Sequence, residues 1–317
     1  MPCTALSLLF ALALMSVPAR AADTAGGEAG RNLEIGGLVT LDHQSRVASD
    51  ANPALALGEV ALGANVTLTE DILASVVLMA EEDLEKIFFD QAMAQVTPAG
   101  GPWTLLFGQQ TVGHGLLSTR LISDPEILPY LEINRPALWA NYARGEFLAG
   151  GGLVLWETGE GDSASRDYAW LPALDWHHGP VQARLSGMFS RYLSDADAAV
   201  TVAWGRLTFD AEGFARLPAW DGRESTAGYL LGVECSLGKR VSVAFRHDGV
   251  GDADTRRLDI LRNGLGFTFT LKQDLFAAAE FSDGRGGDNP GRRLALQLGL
   301  KSSLNLPGFQ RATLTQD

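Results

Sequence analysis

The stretch RRLALQLGLK, residues 292–301, decides the fold. Four leucines alternate along it with polar or small residues, in the order Arg293, Leu294, Ala295, Leu296, Gln297, Leu298, Gly299, Leu300. A period of two with one apolar side is typical of a β-strand whose two faces meet different surroundings. The same texture recurs at 33–41 and in the stretches TAGYLLGVECS, RVSVAFRHD and LRNGLGFTFT. We therefore predict an all-β chain.

The length of these segments favours a transmembrane barrel over a soluble sandwich, which also alternates. They run for about ten residues, which suits a tilted membrane strand better than the five or six residues usual in soluble sheets. Tight connections such as ARGE (143–146) and HHGP (177–180) are followed by longer ones. Bacterial outer-membrane barrels have such short periplasmic turns and longer outer loops. Tryptophans also lie near strand ends, where interface girdles are expected, at Trp103, Trp156, Trp176 and Trp204.

We predict a transmembrane antiparallel β-barrel of about 16 strands over residues 32–302, with 14 or 18 strands left open. The expected strand starts are near 32, 56, 72, 87, 102, 136, 147, 165, 180, 197, 206, 226, 240, 258, 274 and 291. The strand at 165–176 fits least well, because Pro172 has no backbone N–H for the ladder. An even strand number places both barrel ends on the periplasmic side.

The N-terminus indicates export. Residues 1–21 contain an apolar run at 5–17, then Pro18 and the small-x-small site Ala19-Arg20-Ala21, which is the pattern of a secretory signal cleaved after Ala21. Residues 22–31 then form a short N-terminal tail, and residues 303–317 a C-terminal tail. An exported barrel of this kind is expected in the bacterial outer membrane, in contact with its lipid. The sequence leaves open whether it forms a homotrimer.

The composition excludes several other classes of function. The formal net charge is -13, whereas nucleic-acid binding requires a clustered basic face. Only Cys235 follows the signal sequence, so no internal disulfide forms. Adjacent His177 and His178 point to opposite faces of a strand, so we expect no metal site there and no cofactor.

Residues 112–135 form the longest loop, on the outer side after the fifth strand. A barrel of about 16 strands encloses an aqueous lumen. In porins the third outer loop folds into that lumen and narrows it, and we predict the same here. Apolar residues suited to pack on the inner wall are Leu116, Leu117, Ile122, Ile127 and Leu128. The alternative is an external loop that caps the mouth.

Charged residues on this loop and on the opposite wall are the candidate constriction and solute contacts. Those of the loop region are His114, Arg120, Asp124, Glu126, Glu132 and Arg135. If the leucine faces point to lipid, the lumen receives a second set, Arg184, Arg206, Arg216, Arg246, Arg262, Arg293 and Lys301. Loop acids facing a basic wall would create a transverse field that favours anions. The alternative is that the arginines pair with Asp210, Glu212, Glu234 and Glu280.

The loop also carries a resemblance, over about 30 residues. Its motif is Gly108-Gln109-Gln110-x-Val112, then Ile122-Ser123-Asp124-Pro125, Glu132 and Arg135. This pattern resembles the LbtU-type siderophore porins, although Gly113-His114-Gly115 stands where those relatives tend to have Pro-Phe-Gly. The resemblance implies passive uptake of a ferric siderophore or similar small chelate, and a basic wall would suit an anionic one. Phosphate- and carbohydrate-selective porins share part of the pattern, so a general or phosphate/carbohydrate-selective porin is the alternative.

Three rival functions fit less well. An energised siderophore receptor has about 22 strands and a plug domain, which exceeds the size of this chain. A hydrolase requires a nucleophile with a histidine base, and His114 with Ser118 is the one loop pairing worth naming. We therefore expect no enzyme. A secreted β-sandwich binding protein is the third alternative, and it would be soluble without detergent.

Overall fold

The computed structural model describes residues 33–46, 54–81, 86–98, 101–113, 121, 125, 128–158, 165–191, 193–218, 225–255, 257–272, 275–286 and 291–301. The strands are β1 (Leu33–Arg46), β2 (Ala54–Thr69), β3 (Ile72–Glu81), β4 (Lys86–Val96), β5 (Trp103–Gly113), β6 (Glu132–Arg144), β7 (Phe147–Thr158), β8 (Ser165–His178), β9 (Val181–Phe189), β10 (Leu193–Trp204), β11 (Leu207–Pro218), β12 (Thr226–Ser236), β13 (Val241–Asp252), β14 (Arg257–Lys272), β15 (Leu275–Arg285) and β16 (Gly291–Lys301). A four-residue helix, α1 (Leu128–Leu131), precedes β6. The predicted signal peptide and both predicted tails lie outside the described residues and stay predictions.

The sixteen strands form one closed antiparallel barrel in which every strand pairs with its neighbours in sequence. The barrel closes where β1 pairs with β16, from Leu38 opposite Lys301 to Arg46 opposite Arg293. Closure leaves no strand edge with unpaired backbone groups. The predicted fold and strand number are confirmed, and the predicted strand starts lie within four residues of the observed ones.

β8 accommodates Pro172 without ending. Pro172 pairs with Gly151 on β7, while the ladder to β9 passes from Trp170 directly to Ala173. The missing N–H of proline therefore coincides with a local gap on one side of the strand. The predicted strand at 165–176, which fitted the strand pattern least well, is thus a continuous strand, β8.

The two faces of the barrel differ as the leucine alternation predicts. On β16, Leu294, Leu296 and Leu298 are 38–44% exposed, whereas Ala295 between them is 8% exposed. An outward apolar face and a polar lumen are typical of transmembrane barrels. Trp103 and Trp204 are exposed at one end of the barrel, consistent with an aromatic girdle.

The two ends of the barrel are also different. At one end, β6–β7, β8–β9 and β10–β11 are joined by two-residue turns that begin with Gly145, Gly179 and Gly205. The φ angles of these glycines are 59°, 53° and 62°, a left-handed conformation that favours glycine and suits tight hairpins. At the other end, β5 and β6 are separated by 114–131, the longest connection. Among the described residues, no helix is long and apolar enough to cross a bilayer.

Candidate functional site

The long β5–β6 connection turns into the barrel. Its Leu121 lies against β14, where the two terminal methyl groups occupy the space that Cβ atoms on Gly264 and Gly266 would need. Both glycines face the lumen, because Leu265 and Phe267, which alternate with them, are exposed on the outside. Two glycines spaced by two residues thus form a notch in the inner wall that receives Leu121.

The helix α1 anchors the connection at a second place. Leu131 is fully buried against Phe214 of β11, Leu230 of β12 and Val250 of β13, and Leu128 packs on the same cluster. Complete burial of a leucine contributes about 1.5–3 kcal/mol. The residues of the connection that the structure describes therefore lie against the inner wall of β11–β14, across the lumen from β5. The predicted inward folding of the third outer loop is confirmed.

The structure describes only part of the predicted loop site. Of the predicted apolar anchors, Leu128 lies on the wall, and Leu116, Leu117, Ile122 and Ile127 lie outside the described residues. The predicted contacts His114, Arg120, Asp124 and Glu126 also lie outside them. Glu132 opens β6, where its backbone pairs with Gly113. Arg135 is exposed and shares the inner face of β6 with Ala137 and Trp139.

Five of the predicted wall arginines face the lumen. They lie on β9, β11, β13, β14 and β16, and are Arg184, Arg216, Arg246, Arg262 and Arg293. Arg206 does not, which corrects the prediction: it lies exposed in the turn Gly205-Arg206 between β10 and β11, at the short-turn end. The backbone of Lys301 ends β16.

Carboxylates outnumber arginines on the described inner wall of β8–β16. They are Asp175, Asp195, Asp197, Asp210, Glu212, Glu234, Asp248 and Glu280. The predominantly basic wall expected from the sequence is therefore corrected to a mixed one. Acidic and basic side chains interleave on neighbouring strands, so the field across the lumen is weaker than an all-arginine wall would give.

Three ion pairs on this wall have defined geometry. Arg216 donates from Nε and Nη2 to the same Oδ2 of Asp195, at 3.2 and 2.8 Å. Arg246 donates from Nε to Oδ1 of Asp248 at 2.8 Å, with both side chains almost completely buried. Arg184 Nε lies 3.4 Å from Asp175 Oδ1. The charges of these arginines are therefore compensated within the wall by Asp175, Asp195 and Asp248, which agrees with the alternative reading that the arginines are paired.

The described inner wall of β5–β7 is neutral in its middle part. Its apolar cluster, which continues onto β8 and β9, comprises Ala137, Trp139, Val154, Ala169, Leu171, Ala173 and Met188. Trp139 lies over Gly150 and Gly152 of β7, and its indole N–H donates to Asn141 Oδ1 at 2.7 Å. The alternation of apolar and polar residues does not reveal this cluster. The feature of the sequence that could have indicated it is the run Gly150-Gly151-Gly152, because glycines in a strand often mark the close approach of another group.

A polar cluster lies at the short-turn end. His178 Nδ1 is 2.6 Å from Glu146 Oε1, and the Trp176 indole N–H donates to Glu146 Oε2 at 3.3 Å. The hydrogen bond with His178 is the main reason that the pKa of Glu146 lies below its ordinary value of 4.5; the charge of His178 and the Trp176 bond act in the same direction. The ionised carboxylate is thus favoured in the folded protein.

The Glu146 contact predicts a measurable pH dependence. A carboxyl whose pKa is lowered on folding contributes stability above its unfolded pKa and loses it as pH falls through the folded value. We expect carbon-13 NMR of the protein in micelles to give a Glu146 pKa below 4.5, and His178→Ala to move it upward. His177→Ala, on the opposite face of β8, is the matched control. An unchanged Glu146 pKa in His178→Ala would contradict the prediction.

Comparisons with known proteins place the fold. No family model matches the chain, and no curated protein matches its sequence. Among solved structures, OmpF of Salmonella typhi in complex with daunomycin aligns with a TM-score of 0.69 at 7% identity, over 86% of this chain and 98% of that one. The anion-selective porin from Comamonas acidovorans aligns with a TM-score of 0.65 at 14% identity, over 86% of this chain and 99% of that one. This chain has the fold of an outer-membrane porin.

A third structure of this porin fold is the trimer form of OmpT, an outer membrane protein of Vibrio cholerae, with a TM-score of 0.67 at 9% identity. The alignment covers 86% of this chain and 99% of that one. Because nearly the whole length of each structure is matched, the likeness extends over the entire barrel. At these identities the likeness is one of fold, and a fold alone does not determine function.

Proposed function

We propose that this chain is a porin of the bacterial outer membrane that gives small hydrophilic solutes passive passage. The observation that carries the proposal is the β5–β6 connection, which is held across the lumen by Leu121 on β14 and Leu131 on β11–β13. A closed barrel with an apolar outer face places such a lumen across a membrane. The connection then narrows the lumen and sets the size of the solutes that pass. Assembly as a homotrimer is part of this proposal and is supported by the trimer form of OmpT.

The test is single-channel current in a planar bilayer. Purified protein, folded in detergent and checked by heat-modifiable migration on gels, is expected to give stable conductance steps. Polyethylene glycols of increasing size should stop entering the channel at a size set by the constriction. Protein that is correctly folded but gives no conductance would overturn the proposal. Catalytic turnover by that protein would favour the enzyme alternative.

A narrower proposal is uptake of a ferric siderophore or similar chelate. Its support is the resemblance of 108–135 to the LbtU-type siderophore porins. Gly108 and Pro125 of that motif belong to the framework: Gly108 has a φ of 123° and packs tightly on the backbone of β4, and Pro125 is buried. Solute contact is therefore proposed for the charged residues of the loop and for Arg135, which is exposed to the lumen.

Titration of solutes into the bilayer experiment tests the narrower proposal. Block of the current by a ferric chelate at low concentration, with no block by the iron-free chelate, phosphate or simple sugars, is the expected result. Indifference to the ferric chelate would leave the general porin standing. Block by phosphate or sugars would favour the phosphate- or carbohydrate-selective alternative. Because the wall is mixed in charge, the binding of an anionic chelate depends on the loop and Arg135 more than on the wall.

Charge reversal on the wall gives a prediction about ion selectivity. Arg262 and Arg293 are half-buried on the inner faces of β14 and β16. Replacing both by glutamate adds four negative charge units to a lumen in which fields are strong, so the cation-to-anion permeability ratio should rise several-fold. The measurement is the reversal potential under a salt gradient. Arg206→Glu, in the turn outside the wall, is the control expected to change little. An unchanged ratio in the double variant would place these side chains outside the ion path.

A further inference from the structure

The outer face of β13–β16 carries a polar row where an apolar belt ends. Strand register places four polar residues side by side, His247, Asn263, Asp283 and Arg292. The next row towards the short-turn end is entirely apolar and exposed: Phe245, Leu265, Phe281 and Leu294. The two rows are about 6.7 Å apart along the strands. The belt therefore ends abruptly between them, on the side of the longer connections.

Part of this row is tied together by hydrogen bonds. The Tyr229 hydroxyl is 2.8 Å from His247 Nε2, and His247 Nδ1 is 2.8 Å from Asn263 Oδ1. Because an amide oxygen only accepts, His247 Nδ1 carries a proton, and in the neutral ring Nε2 then accepts from the tyrosine hydroxyl. These two hydrogen bonds fix the orientation of the Asn263 amide. Its NH₂ group donates no hydrogen bond to any described residue. An NH₂ group left without a partner in hydrocarbon is costly, so this level of the barrel requires a polar acceptor.

Two arginines extend the row with positive charge. Arg292 lies in it, and Arg285 of β15 lies two residues further from the belt than Asp283, opposite Leu261. Both are exposed, and neither makes an ion pair with a described residue. One carboxylate, Asp283, lies between them. The row thus presents amide and guanidinium donors with a net positive charge directly above an apolar belt.

We propose that this row binds the phosphorylated headgroup of a glycolipid in the outer leaflet, with its acyl chains on the belt below. Arginine forms bidentate, charge-assisted hydrogen bonds with phosphate, and the Asn263 NH₂ group supplies a further donor. The apolar row of Phe245, Leu265, Phe281 and Leu294 gives the acyl chains a surface without polar atoms. This inference rests on the proposed outer-membrane location, because it takes the longer connections to be on the outer side.

The test is binding of diphosphoryl lipid A to the purified barrel, measured by native mass spectrometry from detergent micelles. Each arginine near an anionic lipid surface contributes roughly fivefold in affinity, so Arg285→Ser with Arg292→Ser should weaken binding roughly 30-fold. Arg285→Lys with Arg292→Lys, which keeps the charge but loses the bidentate geometry, should bind with an affinity between those of the wild type and the serine variant. Arg206→Ser with Arg240→Ser is the matched control, because these exposed arginines lie in turns at the opposite end.

The outcomes separate this inference from the proposed function. Equal lipid A binding by the wild type and the Arg285/Arg292 serine variant, with heat-modifiable migration showing that both are folded, would overturn the inference. So would equal binding of phosphatidylethanolamine, since the row would then not distinguish the anionic phosphomonoesters of lipid A from a zwitterionic phosphodiester headgroup. A lipid-independent change of oligomeric state in the serine variant would also overturn it, by making the row a contact between copies. Conductance recorded on the same samples tests the channel separately, because the row lies outside the lumen.

Discussion

Replacing Gly264 and Gly266 together by alanine is expected to release Leu121 from the inner wall and widen the pore. The two new Cβ atoms would occupy the positions now held by the Leu121 methyl groups, so the side chain must leave its notch. Complete burial of a leucine side chain is worth about 1.5–3 kcal/mol and Leu121 is partly buried, so the shift away from the docked loop is expected to reach at most roughly 100-fold. Single-channel recordings should show larger and noisier conductance steps and a higher solute size limit.

The notch prediction has a matched control and an internal check. A Cβ on Gly232, another glycine of the inner wall, would meet Asp210 at ordinary contact distance, so Gly232→Ala should leave conductance unchanged. Leu121→Ala should act like the double variant, and combining all three changes should add little, because contacting residues are not additive. Unchanged conductance in both Leu121→Ala and the double alanine variant would show that Leu121 does not hold the constriction.

The barrel itself could be predicted because one physical rule acts on every strand. Each strand must show lipid an apolar face and the lumen a polar one, so the period of two seen at Leu294, Leu296 and Leu298 is repeated around the whole sheet. Turn glycines such as Gly145 and Gly179 then mark where strands end. The inward loop was predictable from its length and its apolar residues, of which Leu128 is seen on the wall.

The charge of the lumen could not be predicted from the alternation, because it depends on two other features. These are the register in which strands pair and the exact residue at which each strand begins. Arg216 contacts Asp195 because the register of β10 and β11 places these two residues opposite each other. The local sequence of neither strand predicts that register. Arg206 was assigned to the wall because a strand was expected to start there, whereas β11 begins one residue later, at Leu207. Gly264 and Gly266 lie in the alternating stretch LRNGLGFTFT, but the residue that fills their notch comes from a distant loop.

Replacing Asp248 by alanine is expected to cause the largest loss of stability of any single change in the wall. Asp248 is 0% exposed and Arg246 is 3% exposed, and they share a hydrogen bond of 2.8 Å. Removing the carboxylate leaves the guanidinium buried without this acceptor, which typically costs about 3–5 kcal/mol. Urea unfolding in micelles, followed by tryptophan fluorescence, should therefore show a much lower midpoint for Asp248→Ala than for the wild type.

An exposed ion pair on β14 is the control for the loss of stability in Asp248→Ala. Arg257 Nε lies 3.6 Å from Asp259 Oδ1, with both side chains mostly in solvent, so Asp259→Ala should cost no more than about 1 kcal/mol. Replacing both buried partners, Arg246→Met with Asp248→Leu, should recover most of the loss, because apolar groups need no acceptor. If Asp248→Ala unfolds at the same midpoint as Asp259→Ala, water reaches the Arg246 site. The wall at β13 would then be part of the open lumen and the pair would belong to the ion path.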